Sequence, residues 1–310
     1  MASYYNENTL VWLNGGFVKA SEAKLDFYSQ SLHYGYSVFE GIRSYKTNSG
    51  ETRIFKAAEH YDRLRNSAMA INMPYHWTTE ELTVATYELL EKNGLQDAYI
   101  RPVVYAPNNM SFVRNTESFI IIEVWEMLPF LGDKLLRVFT SNFQRPNPKA
   151  FKIHAKAAGH YVNSLMASQE AKANGYDEAL LTDMNGYVAE GPGANIFFEK
   201  NGGLFTPAAG NILTGITRAT VLELCSQLGV PVEEKQCTLD ELKRADAAFF
   251  CGTAAEVVGW ESLDDTVFPK AWNETVSKRI QEAYLEAVRA DDKVDKRNLT
   301  NIPLAETVES

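Results

Sequence analysis

The sequence predicts a chain of two domains that mix strands with helices, a pattern that agrees with an α+β fold, and three observations carry this reading. At 310 residues the chain is longer than one hydrophobic core usually holds. Strand-like and helix-like stretches follow one another on both sides of residue 130. Between them, Glu126-Met127-Leu128-Pro129-Phe130-Leu131-Gly132-Asp133 combines proline and glycine with a change of pattern, which marks a domain boundary. The expected organisation is a small N-terminal domain over residues 1–125, a linker over 126–134, a larger domain over 135–290 and a charged tail over 291–310.

In the first part, Leu10-Val11-Trp12-Leu13 and Phe17-Val18 flank Asn14-Gly15-Gly16, and an Asn-Gly pair between apolar runs signals a hairpin. A helix is predicted over 58–71, because Tyr61, Leu64, Ala68 and Ile71 fall on one face. Thr78-Thr79-Glu80-Glu81 offers a capping box for a second helix through Leu82, Leu89 and Leu90, stopped by Gly94. Residues 98–105 and 118–125 read as strands. In the second part, strands are predicted over 135–140, 178–182, 195–199 and 247–251, with turns at Asn185-Gly186 and Asn201-Gly202-Gly203. Helices are predicted over 160–174, ended by Gly175, over 217–228, ended by Gly229, and in a short piece capped by Thr238-Leu239-Asp240-Glu241.

Composition narrows the function classes. Hydrophobic residues make up 45% and charged residues 23%, the balance of a soluble globular protein. A net charge of -10 argues against nucleic-acid or anionic-membrane partners, while leaving room for a local cationic pocket. The N-terminus has neither the basic nor the apolar region of a signal peptide. Cys225, Cys237 and Cys251 lack both zinc-ligand spacing and a disulfide frame, so they read as reduced thiols of a cytoplasmic protein. No metal site is expected, His154 and His160 included.

The chemistry concentrates around Lys156, in Lys152-Ile153-His154-Ala155-Lys156-Ala157-Ala158-Gly159-His160-Tyr161. Small neighbours leave room for a flat ring beside the amine, and burial or a nearby cation would lower its pKa and free it as a nucleophile. Taken alone, a lysine before a helix reads as a surface residue. Downstream lie a carboxylate, Glu190, before Gly191-Pro192-Gly193, a Gly215-Ile216-Thr217-Arg218 helix start and Gly252-Thr253 at a strand end. A helix N-terminus presents unpaired N–H groups to an anion, glycine allows close approach and threonine adds a hydroxyl. Amine, carboxylate and phosphate cup together are the parts needed to bind pyridoxal 5'-phosphate.

The order and wording of these motifs resemble the branched-chain aminotransferases of the fold-type IV pyridoxal-phosphate enzymes (class IV aminotransferases). Asn185-Gly186-Tyr187-Val188-Ala189-Glu190-Gly191, His33-Tyr34-Gly35-Tyr36-Ser37-Val38-Phe39-Glu40-Gly41-Ile42-Arg43 and Ala98-Tyr99-Ile100-Arg101-Pro102 carry the likeness, which runs from about residue 10 to 281. The resemblance implies an α+β fold of two domains, each on a mostly antiparallel sheet, with the cofactor at their junction. It implies that Lys156 holds the cofactor and moves protons, Tyr161 meets the ring oxygen and Glu190 the ring nitrogen. Arg63, Ile216, Thr217 and Thr253 would serve the phosphate. Tyr34 and Phe39 would line the apolar part of the substrate pocket. Arg101, with the Tyr34 hydroxyl, would receive the distal carboxylate of glutamate, and Tyr99 with the backbone of Ala254 and Ala255 the α-carboxylate. The function implied is transfer of the amino group of leucine, isoleucine or valine to 2-oxoglutarate, by a homodimer or larger homo-oligomer. A D-amino-acid or (R)-amine aminotransferase and an aminodeoxychorismate-lyase-type enzyme share the fold and stay open as alternatives. Phe130, Ala194 and the stretch 106–115 depart from the family pattern.

Overall fold

The computed structural model describes residues 4–127 and 134–291. Phe130, most of the expected linker and the tail beyond Asp291 lie outside the described residues. By its contacts the chain divides into a first unit, Met1–Met127 with Ala155–Gly159 and Val288–Ser310, and a second unit, Leu128–His154 with His160–Ala287. The lysine segment thus belongs to the first unit, although the chain around it belongs to the second.

The first unit carries strands β1 (Leu10–Leu13), β2 (Gly16–Lys19), β3 (Ser37–Phe39), β4 (Ile42–Lys46), β5 (Thr52–Ile54), β6 (Ala98–Tyr105) and β7 (Phe119–Glu126). Its helices are α1 (Gln30–Tyr34), α2 (Ala57–Ala70) and α3 (Thr79–Lys92). The strands form a seven-stranded sheet in the order β2-β1-β7-β6-β4-β5, with β3 also on β6, and the pairings are antiparallel. The β1–β2 hairpin closes on Asn14 and Gly15, both at positive φ, so Gly16 already pairs with Leu13. Thr78 and Glu81 form the reciprocal capping box read from the sequence. Tyr61, Leu64 and Ala68 from α2 meet Leu82 and Leu89 from α3 against Ile100, Val104 and Ile122 of the sheet. Each leucine buried in this way contributes roughly 1.5–3 kcal/mol.

The second unit carries β8 (Leu136–Gln144), β9 (Glu178–Thr182), β10 (Val188–Glu190), β11 (Asn195–Lys200), β12 (Gly203–Pro207), β13 (Val232–Lys235), β14 (Ala247–Gly252), β15 (Glu256–Leu263) and β16 (Thr266–Val267). Its helices are α4 (Tyr161–Ala173), α5 (Ile216–Gln227), α6 (Leu239–Lys243) and the greater part of α7 (Val276–Arg289). The nine-stranded sheet runs β10-β9-β8-β15-β14-β11-β12-β13, with β16 on β15. It is mixed: β8 runs parallel to both β9 and β15, and β12 to β13, while the remaining described pairings are antiparallel. Phe250 packs 4.5 Å from Trp260 within one core cluster, and Ala167 and Ala171 of α4 cover Ala179 and Leu181. The sequence reading left out α7, although Val276, Ile280, Tyr284 and Val288 recur at the i, i+4 spacing of one helix face.

Candidate active site

In the first unit the site is built where β3 ends. The lysine segment lies alongside β3: Val38 forms a bridge with Ala157, and Phe39 N–H donates to the Lys156 carbonyl at 3.1 Å. Lys156 N–H donates to Ser67 Oγ of α2 at 3.0 Å. Gly159 N–H donates to the Gly35 carbonyl at 3.1 Å, and a Cβ on Gly35, which has φ +63, would stand 2.8 Å from Gly159 Cα. The small residues around Lys156 therefore have a structural reason of their own, since two backbones touch there. Lys156 is partly buried and its Nζ lies 5.2 Å from the centre of the Phe39 ring.

The same ring lies 4.6 Å from Cζ of Arg101. Arg101 also stacks on Tyr99, 5.2 Å from its ring centre, and donates from Nη2 to the Tyr99 hydroxyl at 3.0 Å. Its buried Nε has no hydrogen-bond partner among the described residues, which leaves a donor suited to an oxyanion. Glu123 stands opposite Arg101 in the β6–β7 register. Burial pushes the Glu123 carboxyl up against the opposing pull of Arg101. Lys156, Phe39, Tyr99 and Arg101 are thus brought together. Tyr34 sits at the surface, its hydroxyl donating to the Met110 carbonyl at 3.4 Å and its ring 5.3 Å from that of Phe112.

Arg63 does not stand on a solvated helix face. Glu40, fully buried, accepts from Arg63 Nε at 2.6 Å and Nη2 at 2.9 Å, and lies 2.8 Å from Nδ1 of buried His60. Burial alone would raise the Glu40 carboxyl; the Arg63 charge and hydrogen bonds from His60 and Arg63 outweigh it and hold it well below the usual carboxylate range. Burial pushes His60 down, Glu40 pulls it up, and the charges of Arg63 and Lys156 add to the lowering, so the imidazole is neutral near pH 7.

In the second unit the candidate residues gather at strand ends. Glu190 closes β10, Asn195 opens β11 opposite Cys251, and Gly252 ends β14. Buried Glu190 accepts from Asn195 Nδ2 at 3.0 Å and, through both oxygens, from Leu213 N–H at 3.2 Å. Arg145 Nε approaches Glu190 Oε1 to 2.9 Å, an ion pair by distance whose N–H is not aligned as a hydrogen bond. Asn195 also reaches the start of α5: a Cβ on Gly215 would stand 2.1 Å from Asn195 Oδ1, so only glycine fits. Gly215 caps α5 with extended backbone and no side-chain cap bond, which leaves the first-turn N–H groups at Ile216 and Thr217 for an anion. A Cβ on Gly252 would stand 3.1 Å from the Gly193 carbonyl, so the Thr253-Ala254-Ala255 turn passes close to the loop after Glu190 and to Ala194. Tyr161 is the first residue of α4 and is partly buried. Burial, with the charge of Arg145 and the proximity of His154, lowers His160 to about 4. Among the described residues no group of three or more His, Cys, Asp or Glu could hold a metal.

The sequence reading gave no role to Glu40, His60, Asn195 or Arg145. Arg145 carried no signal of its own: it stands one residue past the end of β8, and its partner Glu190 closes a different strand.

A buried carboxylate, an uncapped helix start and a partly buried amine match the donor set of a pyridoxal-phosphate enzyme, and comparison with known proteins decides the family. The model of the class IV amino-transferases matches residues 37–263. The chain belongs to the class IV aminotransferase family. This class IV aminotransferase is 38% identical to a branched-chain-amino-acid aminotransferase of Pseudomonas aeruginosa, over 92% of this chain and 95% of that one. Among solved structures it resembles the branched-chain aminotransferase of Thermoproteus uzoniensis with norvaline (TM-score 0.87, 39% identity, 91% of this chain and 95% of that one). It also resembles a T.th. branched-chain amino acid aminotransferase complexed with N-(5'-phosphopyridoxyl)-L-glutamate (TM-score 0.85, 39% identity, 91% and 94%).

Proposed function

We infer that this class IV aminotransferase transfers the amino group of branched-chain L-amino acids (leucine, isoleucine, valine) to 2-oxoglutarate, with pyridoxal 5'-phosphate as cofactor. The products are branched-chain 2-oxo acids and L-glutamate. The observation that carries the reading is the cluster in which one aromatic ring, Phe39, lies 5.2 Å from an amine and 4.6 Å from a guanidinium. The D-amino-acid, (R)-amine and lyase-type alternatives are not favoured, because the similar proteins carry the branched-chain activity in their names.

The residues fit the cofactor. When bound, it supplies an aldehyde for covalent attachment to an amine and a protonated ring that takes up electrons from substrate Cα. Lys156 Nζ would hold the cofactor and would move the proton at substrate Cα, first as general base and then as general acid. Glu190, fixed by Arg145, Asn195 and Leu213 N–H, keeps the ring nitrogen protonated. Tyr161 meets the ring oxygen. The α5 N-terminus at Ile216 and Thr217, the Thr253 hydroxyl and Arg63 would serve the phosphate.

The pocket must take an apolar side chain in one half-reaction and the carboxylate of glutamate in the other. Arg101 suits both. Its planar face is spent on the rings of Phe39 and Tyr99, so that aromatic surface contacts the apolar substrate, while its buried Nε meets a carboxylate. Tyr34, exposed and bonded to Met110 within its own chain, would add aromatic wall and hydroxyl to a partner's pocket in a homo-oligomer; Tyr99 and the backbone N–H groups of Ala254 and Ala255 would receive the α-carboxylate. A homodimer or larger homo-oligomer is part of the proposal. Its support is exposed apolar surface in each unit, Tyr34, Met110, Phe112 and Val113 in the first and Phe151, Val162, Leu165 and Met166 in the second. The proposed compartment is the cytoplasm. Its support is that Cys225, Cys237 and Cys251 are buried thiols, and burial pushes the first two up to about 11 and 12. No helix among the described residues is long and apolar enough to cross a membrane.

Lys156→Ala is expected to abolish leucine–2-oxoglutarate turnover and the yellow colour of the purified protein while leaving its circular dichroism unchanged. Borohydride reduction of the wild type followed by peptide mapping should place the cofactor on Lys156; wild-type turnover in the variant would refute the assignment.

A further inference from the structure

We propose that Glu40 is a positioning residue for cofactor phosphate: its carboxylate presets the Arg63 guanidinium so that phosphate meets donors already in place. The inference rests on the cofactor reading above and adds a residue to it.

Three consecutive residues, Phe39, Glu40 and Gly41, each touch a different candidate residue. Phe39 N–H donates to the Lys156 carbonyl, and its ring faces Lys156 Nζ. Glu40 grips Arg63 through both oxygens and His60 through one. Gly41 is the point where a Cβ would stand 2.0 Å from the Tyr99 hydroxyl. Glu40 N–H in turn donates to the Pro102 carbonyl at 2.9 Å, one residue after Arg101. The carboxylate thus hangs from a backbone fixed on two sides.

The charge balance makes this placement informative. A carboxylate beside a phosphate-binding arginine opposes a dianion, and a lone arginine would offer more charge. Glu40 also commits two of the five guanidinium N–H groups, so at most three remain for the phosphate. What the pair supplies instead is geometry. An arginine side chain loses rotamer entropy when it is fixed. Glu40 fixes Arg63 before the ligand arrives, so binding does not bear that loss. His60, neutral and bonded to the same carboxylate, fills a further lone pair without adding charge. A core ion pair with no functional role would give stability alone, without selectivity between phosphorylated and unphosphorylated ligand.

The test titrates cofactor-free protein with pyridoxal 5'-phosphate and with pyridoxal, following absorbance and intrinsic fluorescence. In Glu40→Gln the affinity for pyridoxal 5'-phosphate should fall tenfold or more, while that for pyridoxal stays within twofold. In an Arg63→Gln background, adding Glu40→Gln should change the ratio of the two affinities less than twofold, because the arginine it positions is gone. Glu40→Asp withdraws the carboxylate by one methylene; it should give an intermediate ratio and stands in should Glu40→Gln fail to fold. Equal loss of both ligands, tighter phosphate binding in Glu40→Gln, or an undiminished effect in the Arg63→Gln background would overturn the proposal. Wild-type protein that binds neither ligand would instead sink the cofactor reading, and this inference with it.

Discussion

Each unit buries a carboxylate against an arginine, and the two pairs are mirror images in role. In the first unit Glu40 is fully enclosed and Arg63 is the member read as functional; in the second, Arg145 is the partner and Glu190 is the member read as functional. Glu40 accepts two side-chain donors from Arg63, one from His60 and the N–H of its neighbour Gly41. Glu190 receives an arginine, an amide and a backbone N–H that leads directly to the start of α5. A buried charge is tolerated only when paired, so a site that needs one charge must carry a second. The motif that marks chemistry in a sequence shows one member, and its counterpart comes from a distant segment.

This comparison is open to experiment, beginning with the largest effect. Arg145→Ala should lower stability by about 3–5 kcal/mol, because Glu190 is left buried without its cation. Arg145→Met combined with Glu190→Gln should recover most of that stability in urea unfolding while turnover stays lost. Arg63→Met with Glu40→Gln should behave alike in the first unit. Should neither double variant recover stability beyond its singles, the two clusters are not ion pairs of the kind described.

Next in size is Gly215→Ala. Its Cβ would meet Asn195 Oδ1 at 2.1 Å, and Asn195 holds Glu190, so strain of about 1–3 kcal/mol should come with a loss of cofactor affinity. Gly41→Ala imposes a similar clash on the Tyr99 hydroxyl in the first unit. There the expected readout is a raised KM for 2-oxoglutarate with cofactor affinity retained. The same readout from both variants would erase the distinction.

Acid should then reach the two units through different groups. His160 is lowered from 6.5 to about 4, so its contribution is complete above about pH 6.5 and is lost as pH falls to about 4, where the unfolded chain has taken the proton first. His60 is lowered too and acts in the same direction. Glu40, held low, contributes above the ordinary carboxylate range and is lost only in stronger acid. His160→Gln should flatten the fall in urea midpoint between pH 6.5 and 4; an unchanged slope would mean that burial does not hold its pKa down.

The smallest effect tests likeness rather than contrast. Thr78 and Thr238 cap helices in different units through the same reciprocal box with Glu81 and Glu241. Alanine at either position should reduce stability by about 1 kcal/mol with turnover unchanged.

Local physics made much of the fold legible. The strands at Ala98–Tyr105 and Glu178–Thr182, both capping boxes and the helix stops at Gly94, Gly175 and Gly229, all at positive φ, stand where the residues place them. A capping box or a left-handed glycine acts over a few residues and needs no distant partner. β15 and α7 escaped because neither opens with such a signal, although α7 keeps its periodicity.

The sequence alone determined the type of the elements it marked, the family motifs and the candidate residues Lys156, Glu190 and Arg101. Only the tertiary structure decided that Lys156 lies with the first unit, that Arg63 belongs to Glu40, and that Arg145 belongs to Glu190. The reason is physical: helix caps and turns are satisfied by neighbours in the chain, whereas a buried charge takes whichever opposite charge the packed core brings within about 3 Å.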